Sequence, residues 1–333
     1  MRPLRTGLVG VGQMGRNHAR VIRNLEGVDL VAVVDPGGDP NGIAGGLPVV
    51  ESVEGLMNMG LDCCVVASPT EFHLEGGLAL AKAGIHTMLE KPIASSLDEA
   101  DQLIVAFDRA GVVGCVGHIE RFNPAIRSMR ERIAQGELGE LYQVSTRRQG
   151  PFAARVSDVG VIKDLGTHDI DLTMWLVGQP ITAVSARTAH RMGRQHEDLA
   201  SVTSICSGGV VGSHIMNWVS PFKERVVQVT GERGSFVANT ISADLTYWVD
   251  GEITSEWESL LHTRGATEGD VIRYAIPKPE PLVSELEAFR DAVLGIRQDV
   301  VTLSDGRRAL AVAEACLESA ATGQTVELLA AQD

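Results

Sequence analysis

No run in this chain is apolar over the length a membrane span needs, and no two cysteines form a C-x-x-C pair. Basic residues are scarce: 29 Lys and Arg stand against 43 Asp and Glu, a formal net charge of -14. That balance argues against non-specific nucleic-acid binding, which depends on neutralising phosphates with cations. It does not argue against an anionic small ligand, because a local cationic site can sit on an acidic protein. The five cysteines, Cys63, Cys64, Cys115, Cys206 and Cys316, are odd in number and most lie in apolar runs. They read as buried, reduced thiols of a reducing compartment, and nothing supports a structural zinc site. The first strand begins almost at once after Met1-Arg2-Pro3, which leaves no room for a signal peptide, so a cytoplasmic location is expected. Internal repeats, low-complexity tracts and long linkers are also missing.

The 333 residues suffice for two domains, each with its own core, and the composition, 44% apolar and 22% charged, is that of a soluble globular chain. The most informative segment is Gly10-Val11-Gly12-Gln13-Met14-Gly15, directly behind the apolar Leu8-Val9. A G-x-G-x-x-G turn between a strand and a helix is a dinucleotide fingerprint when its context is complete. Gly10 allows the tight turn, Gly12 the approach of a pyrophosphate, and Gly15 the close packing of helix on sheet. The pyrophosphate would rest on the helix N-terminus near Gln13 and Met14, where unpaired N–H groups favour anions. Asp35 closes the next apolar run, about 20 residues on, where an acid binds a ribose 2′-hydroxyl. NAD is the expected cofactor, because Asp35 repels a 2′-phosphate.

Apolar runs at 4–10, 29–35, 48–50, 61–67, 86–90 and 112–117 predict strands, with helices at 14–25, 51–58, 72–83 and 97–110. This alternation is the pattern of a doubly wound parallel sheet, a Rossmann domain of order 3-2-1-4-5-6. Ligands of that fold bind beyond the carboxyl ends of the strands. Those ends carry Gly10, Asp35, Ser68-Pro69-Thr70, Glu90-Lys91-Pro92 and Gly117-His118. Residues 1–119 are the expected NAD-binding domain. Residues 120–333 are the expected α/β domain for substrate and oligomerisation. In it, a helix near 124–135 precedes strand-like runs at 140–148, 181–189, 199–206, 209–218, 225–230, 234–238 and 244–249, interrupted by one strong helix at 168–177. Short turns such as Ser207-Gly208-Gly209 predict a large, mainly antiparallel open sheet. The polar stretch 258–281 reads as a surface excursion, and helices at 282–294 and 305–322 end the chain.

Lys91, at the end of the fifth strand, stands where a lysine can donate to a reacting oxygen. Asp164 and His168 are four apart, so both fall on one face of a helical turn. Histidine suits acid–base work and also common structural uses, while Asp164, Thr167 and Asp169 suit caps and first-turn acids. No second histidine stands at metal-ligand spacing. Asp171 and Trp175 make a further, structural i, i+4 pair. His18 and His73 each suit either packing or a cofactor contact. His118, Glu120, Arg121 and Asn123 cluster at the domain junction. Arg147, Arg148 and Arg155 flank Gly150-Pro151-Phe152, as a solvated loop or as a clamp for a phosphate or carboxylate. Apolar side chains such as Val202, Ile205, Val211 and Ile215 suggest a half-apolar sheet face that finds a partner, giving a homodimer or homotetramer.

Taken in order, Gly10-x-Gly12-x-x-Gly15-x-x-His18, Ser68-Pro69-Thr70-x-x-His73, Glu90-Lys91-Pro92 and Asp164-x-x-x-His168 resemble the Gfo/Idh/MocA oxidoreductases over essentially the whole chain. The resemblance implies hydride transfer between NAD(P) and a sugar or cyclitol hydroxyl carbon. It makes Lys91 the binder of the reacting hydroxyl, His168 the general acid/base, and Asp164 the group that orients substrate and lysine. It also brings Ser68, Pro69, Thr70, His73, Glu90 and Lys91 into the cofactor site. The segments Gly117–Pro124, Gly150-Pro151-Phe152 through Arg155, Asp158–Val161 and Asp164–Asp171 look like UDP-N-acetylglucosamine 3-dehydrogenases. There His118, Arg121, Asn123, Arg148 and Arg155 are substrate-binding, with the arginines set to meet a diphosphate. Gly166-Thr167 departs from that pattern, which implies a more apolar pair. A UDP-linked N-acetylamino sugar oxidised at C3 is the resulting expectation. Inositol or another cyclitol is the alternative substrate, and a non-catalytic dinucleotide-sensing regulator the alternative class.

Overall fold

The chain is seen in a computed structural model that describes residues 2–152, 159–251 and 268–328. It divides into two compact units, Met1–Phe122 with Pro279–Ala311, and Asn123–Lys278 with Val312–Asp333. In the first unit β1 (Leu4–Val9), β2 (Val28–Val34), β3 (Val49–Val50), β4 (Cys63–Val66), β5 (His86–Glu90) and β6 (Gly114–Gly117) form one sheet in the order β3-β2-β1-β4-β5-β6. Every pair is parallel. Helices α1 (Gln13–Ile22), α2 (Val53–Met57), α3 (His73–Lys82) and α4 (Leu97–Ala110) alternate with the strands. This is the expected doubly wound topology.

The continuous apolar runs are explained by two cores. Leu8, Val33, Cys63, Val65, Met88 and Cys115 pack into one cluster, whereas Val9, Val34, Cys64, Val66, Leu89 and Val116 pack into another. Alternate residues of each strand thus face opposite sides, so a strand covered on both faces has no polar position to spare. The thiols are part of this packing, and burial pushes Cys63 up to about 12.

Helix α7 (Pro281–Val293) also belongs to the first unit, although it follows the second unit's strands in sequence. Its Leu282, Leu286 and Phe289 join Ala19 and Ile22 of α1 in a shared cluster. Beyond it, Val301 accepts the Val116 N–H at 2.9 Å and Thr302 bridges Cys115, extending the sheet edge beside β6. The sequence division at 119/120 made no provision for this return of 279–311.

In the second unit a nine-stranded sheet runs β14-β13-β12-β11-β7-β10-β9-β8-β15. Its members are β7 (Leu141–Pro151), β8 (Ile181–Ala189), β9 (Leu199–Cys206), β10 (Val211–Asn217), β11 (Val219–Gly231), β12 (Gly234–Asn239), β13 (Asp244–Asp250), β14 (Glu268–Tyr274) and β15 (Val326–Glu327). All pairs are antiparallel except β7 with β10, which are parallel. Helices α5 (Pro124–Ala134) and α6 (Thr167–Val177) belong to this unit, and the division between the units falls within α8 (Leu303–Thr322). Strand β14 lies in the stretch read as a surface excursion; the part of that stretch between 258 and 267 lies outside the described residues. Its Leu245–Tyr274 and Trp248–Val271 pairings make it an edge strand.

The sheet has two unlike faces. Along β9 and β10 Ala200, Val202, His214 and Met216 are buried, while Ile205, Val211 and Ile215 are 41%, 44% and 39% exposed. Val202 therefore faces the core, and the other three named apolar residues face outward. His214 is satisfied inside the core by Thr146 Oγ1 at 3.0 Å and Ser204 Oγ at 3.1 Å, and burial lowers it to about 4.

Candidate active site

The glycine turn after β1 has the geometry its residues predict. Gly10 has φ of 88°, which L side chains rarely adopt, and a Cβ there would lie 2.7 Å from the Ala67 carbonyl oxygen. A Cβ on Gly15 would collide with the Gly10 carbonyl oxygen. A Cβ on Gly12, by contrast, would meet nothing within 4 Å. Two glycines are needed by the protein itself, and the third opens the helix end. Gly12 caps α1 without a side-chain bond, and no acid stands in the first turn. The leading N–H groups are thus left for an anion, and the helix dipole favours one there.

Asp35 follows β2 with its carboxylate held in place by backbone. Oδ2 accepts the Val11 N–H at 3.0 Å and Oδ1 the Gly37 N–H at 2.8 Å. Each oxygen keeps a lone pair for a ribose hydroxyl, but a 2′-phosphate would meet an anion fixed beside it. Catalytic efficiency with NAD should therefore exceed that with NADP, and Asp35→Ala should narrow the gap. Equal efficiency of the wild type with both cofactors would contradict this. Ser68, past the end of β4, has a buried Oγ with no hydrogen-bond partner among the described residues, which fits a cofactor contact. Pro69 and Thr70 follow it at the same strand end. These features fit NAD, which accepts hydride when bound.

His73 holds the loops together. Its Nδ1 lies 3.1 Å from Pro92 O and 3.2 Å from Ile93 O, and its Nε2 lies 3.1 Å from Ser68 O. Burial lowers its pKa despite these carbonyls. The ring ties the loop after β4 to the loop after β5. His18 is fully buried and its Nε2 meets Glu90 Oε1 at 2.8 Å. The other Glu90 oxygen accepts the Lys91 N–H at 3.2 Å. Glu90 thus has one oxygen on His18 and the other on the Lys91 N–H. Burial pushes its carboxyl up, yet the His18 bond and the Lys91 charge hold it below the ordinary range. Lys91 itself is half-buried at the strand end. His118 is buried, and Arg121 forms a 3.3 Å ion pair with Asp305.

In the second unit Asp164 sits in a π-helical turn, Ile162–Gly166, that runs directly into α6, and His168 lies in the first turn of that helix. Such wide turns are frequent at functional sites. Asp164 is buried and His168 half-buried. The turn is anchored by Glu197, which the sequence did not single out. Its backbone carbonyl accepts the Val161 N–H at 3.0 Å and its Oε1 the Ile162 N–H at 3.0 Å. A Cβ on Gly160 would collide with that carboxylate, a contact between residues far apart in sequence that left no signal in it. Gly166-Thr167 also finds its reason here. A Cβ on Gly166 would lie 2.6 Å from Met216 Sδ, and Thr167 Oγ1 donates to Lys163 O at 2.9 Å. The small residue lets the turn lie against β10.

The remaining polar residues have structural partners that spacing did not suggest. Arg148 Nε donates to Asp169 Oδ1 at 2.7 Å with both side chains buried. Removing one partner of such a pair typically costs about 3–5 kcal/mol. Asn123 caps α5, accepting the Ala125 N–H at 3.1 Å and donating to Thr240 O at 2.9 Å. Arg147 pairs with Glu224 at the surface. Arg155 and Asp158 lie outside the described residues.

With this geometry in place, the chain belongs to the Gfo/Idh/MocA oxidoreductase family. Residues 4–118 match its NAD-binding Rossmann fold and residues 130–328 its C-terminal alpha/beta domain. Among similar proteins, the UDP-N-acetylglucosamine 3-dehydrogenase of Acidithiobacillus ferrooxidans is 28% identical, covering 93% of this chain and 95% of that one. Inositol 2-dehydrogenase 2 of Saccharopolyspora erythraea is 29% identical, covering 96% and 94%. A solved structure of the Acidithiobacillus enzyme, GnnA, superposes with a TM-score of 0.84 at 26% identity, covering 97% of this chain and 100% of that one.

Proposed function

We propose that this chain is an NAD-dependent sugar dehydrogenase. Its substrate is a UDP-linked N-acetylamino sugar, oxidised at the C3 secondary hydroxyl to the 3-keto sugar. The observation that carries the chemistry is the placement of a buried Asp164 and a half-buried His168, four residues apart, at a π-to-α junction, in a chain whose other unit has an NAD-binding fold. Removing hydride from an alcohol carbon requires its hydroxyl proton to leave as well. His168 takes that proton, since imidazole titrates in the useful range. Lys91 donates to the reacting oxygen and steadies its developing negative charge, and Asp164 orients the substrate. A sensor without turnover has no need of Lys91, Asp164 and His168 together.

The substrate assignment rests on the segments around Gly117–Pro124 and Asp164–Asp171 and on the likeness to the Acidithiobacillus enzyme. The comparable identity to an inositol dehydrogenase favours a cyclitol as the second reading. Mixing the protein with NAD and a panel of UDP-sugars and inositols, and following the absorbance of reduced nicotinamide, tests both. Reduction with UDP-N-acetylglucosamine supports the first. Reduction with inositols alone overturns it in favour of the second, and none with any of them removes the dehydrogenase reading for this panel.

Assembly follows from the exposed sheet face. Val211 lies opposite Ile205 across the strand pair, and Ile215 continues the row. A second copy of this chain covers that face, giving a homodimer or homotetramer. Light scattering at micromolar concentration should return a dimer or tetramer mass; a monomer mass contradicts the assembly. No described helix is long and apolar enough to cross a membrane. The buried free thiols support a reducing, cytoplasmic setting.

A further inference from the structure

The first N–H groups of a helix have no partner within it, and a helix end left so frays. The Ile162–Gly166 turn, which carries Asp164 and runs into α6, begins at Val161, whose side chain makes no capping bond. The cap comes instead from a residue 35 positions beyond Ile162. Glu197 accepts the Val161 N–H through its carbonyl and the Ile162 N–H through Oε1, each at 3.0 Å. It is 7% exposed, so water is a poor substitute for either bond. A carboxylate suits that place, since the helix dipole favours negative charge at an N-terminus.

Glu197 is itself held from behind. The neighbouring Asp198 is fully buried; its N–H donates to Ala189 O at 3.0 Å and its carbonyl accepts the Trp218 N–H at 2.9 Å. The Asp198 carboxylate accepts the Arg191 N–H at 2.7 Å and the Met192 N–H at 2.6 Å. Glu197 therefore reaches the turn from a fixed base just before β9. Asp164, two residues past the capped Ile162, donates its N–H to Gly160 O at 3.0 Å. The three atoms that a Cβ on Gly160 would meet first all belong to the Glu197 carboxyl. One side chain thus packs against Gly160, from which Asp164 is hung, and caps the start of the turn.

We propose that Glu197 is a positioning residue: its carboxyl caps the π turn from a distant part of the chain and so fixes where Asp164 and His168 stand. This rests on the reading above that those two residues act on the substrate. Placement matters because a displacement of about 1 Å near reacting groups can cost on the order of 10²-fold in rate. A packing role needs only bulk at position 197. Capping needs an acceptor at the end of the side chain, which Gln keeps and Met, of similar size, does not.

The test uses the full chain in two arms. In turnover, Glu197→Met should lower kcat about 10–100-fold with KM for NAD unchanged, while Glu197→Gln recovers most of that loss. Gly160→Ala, which expels the carboxyl from the other side, should lower kcat to a similar extent, and joining it to Glu197→Met should add little. Glu197→Ala takes the place of Met if the Met variant does not fold. In amide hydrogen exchange, read by mass spectrometry without substrate, Glu197→Met should speed exchange in peptides covering 161–168 and leave those covering 10–15 unchanged. Glu197→Gln should exchange as the wild type does. A Met variant that keeps wild-type kcat, whatever its Tm, overturns the proposal. So do a Gln variant no better than Met, fully additive losses with Gly160→Ala, or unchanged exchange over 161–168. If the wild type turns over no sugar, the dehydrogenase reading fails by itself and the exchange still judges the cap.

Discussion

His168→Asn is expected to lower kcat by about 10²–10⁴-fold, the usual contribution of general acid–base catalysis, with NAD affinity near wild type. Asn keeps approximate size and some hydrogen bonding but cannot exchange a proton near neutral pH. His168 lies in the first turn of α6 in the second unit, whereas the glycine turn and Asp35 proposed to hold the cofactor belong to the first, so the substitution separates chemistry from cofactor binding. Lys91→Ala should also cut kcat, by removing the donor that steadies the reacting oxygen. The two are told apart by pH: loss of the histidine removes an ionisation from the kcat profile, and loss of the lysine leaves that ionisation in place. Stopped-flow or steady-state absorbance of reduced nicotinamide reads both. Normal turnover by His168→Asn with the true substrate would pass the proton to Asp164 or a bound water.

Gly12→Ala and Gly15→Ala should fail in different ways, although both change one glycine of the same motif. The Gly12 Cβ meets no protein atom within 4 Å, so its variant should fold with nearly unchanged Tm. The added methyl would stand where the pyrophosphate must approach the α1 N–H groups, so NAD affinity should fall by tenfold or more, at least about 1.4 kcal/mol. The Gly15 Cβ collides with the backbone at Gly10, which cannot move without shifting β1 or α1. Its variant should lose stability as well as affinity, on the order of 1–3 kcal/mol for an overpacked site. Thermal unfolding without cofactor and a fluorescence titration with NADH separate the two outcomes. A Gly12→Ala variant with wild-type NAD affinity would place the pyrophosphate elsewhere.

Most of the Rossmann unit was legible because its rules are local. A buried parallel strand reads as an apolar run, and α4 matches its expected span, Leu97–Ala110, because Ser96 caps one end and Gly111 with φ of 65° ends the other. The glycine turn was legible for the same reason, since three close residues carry its steric demands. Strand β14 was missed because its edge position and polar Glu268-Gly269-Asp270 start give no alternation to read. The facing of Val202 was not decided by its apolarity, since Ile205 is as apolar and lies on the opposite face; the register with β10 decides it.

The site shows the same division between local and tertiary information. Lys91, Asp164 and His168 are proposed from motif, but the contacts of Arg148 with Asp169, Asn123 with Thr240, His73 with Pro92 and Glu90 with His18 were not foreseen. Each of these joins residues distant in sequence, for which spacing carries no signal. Glu197 was passed over because a glutamate reads as surface until packing buries it.

The sequence by itself determined the class of fold, the NAD cradle and the residues proposed for the chemistry, because period, glycine placement and motif order are written in neighbouring residues. Only the tertiary structure decided that 279–311 rejoins the first unit, that β7 and β10 run parallel, and that buried His18 meets Glu90. Those outcomes depend on which distant surfaces exclude water together, and burial sets the charge a carboxyl can keep.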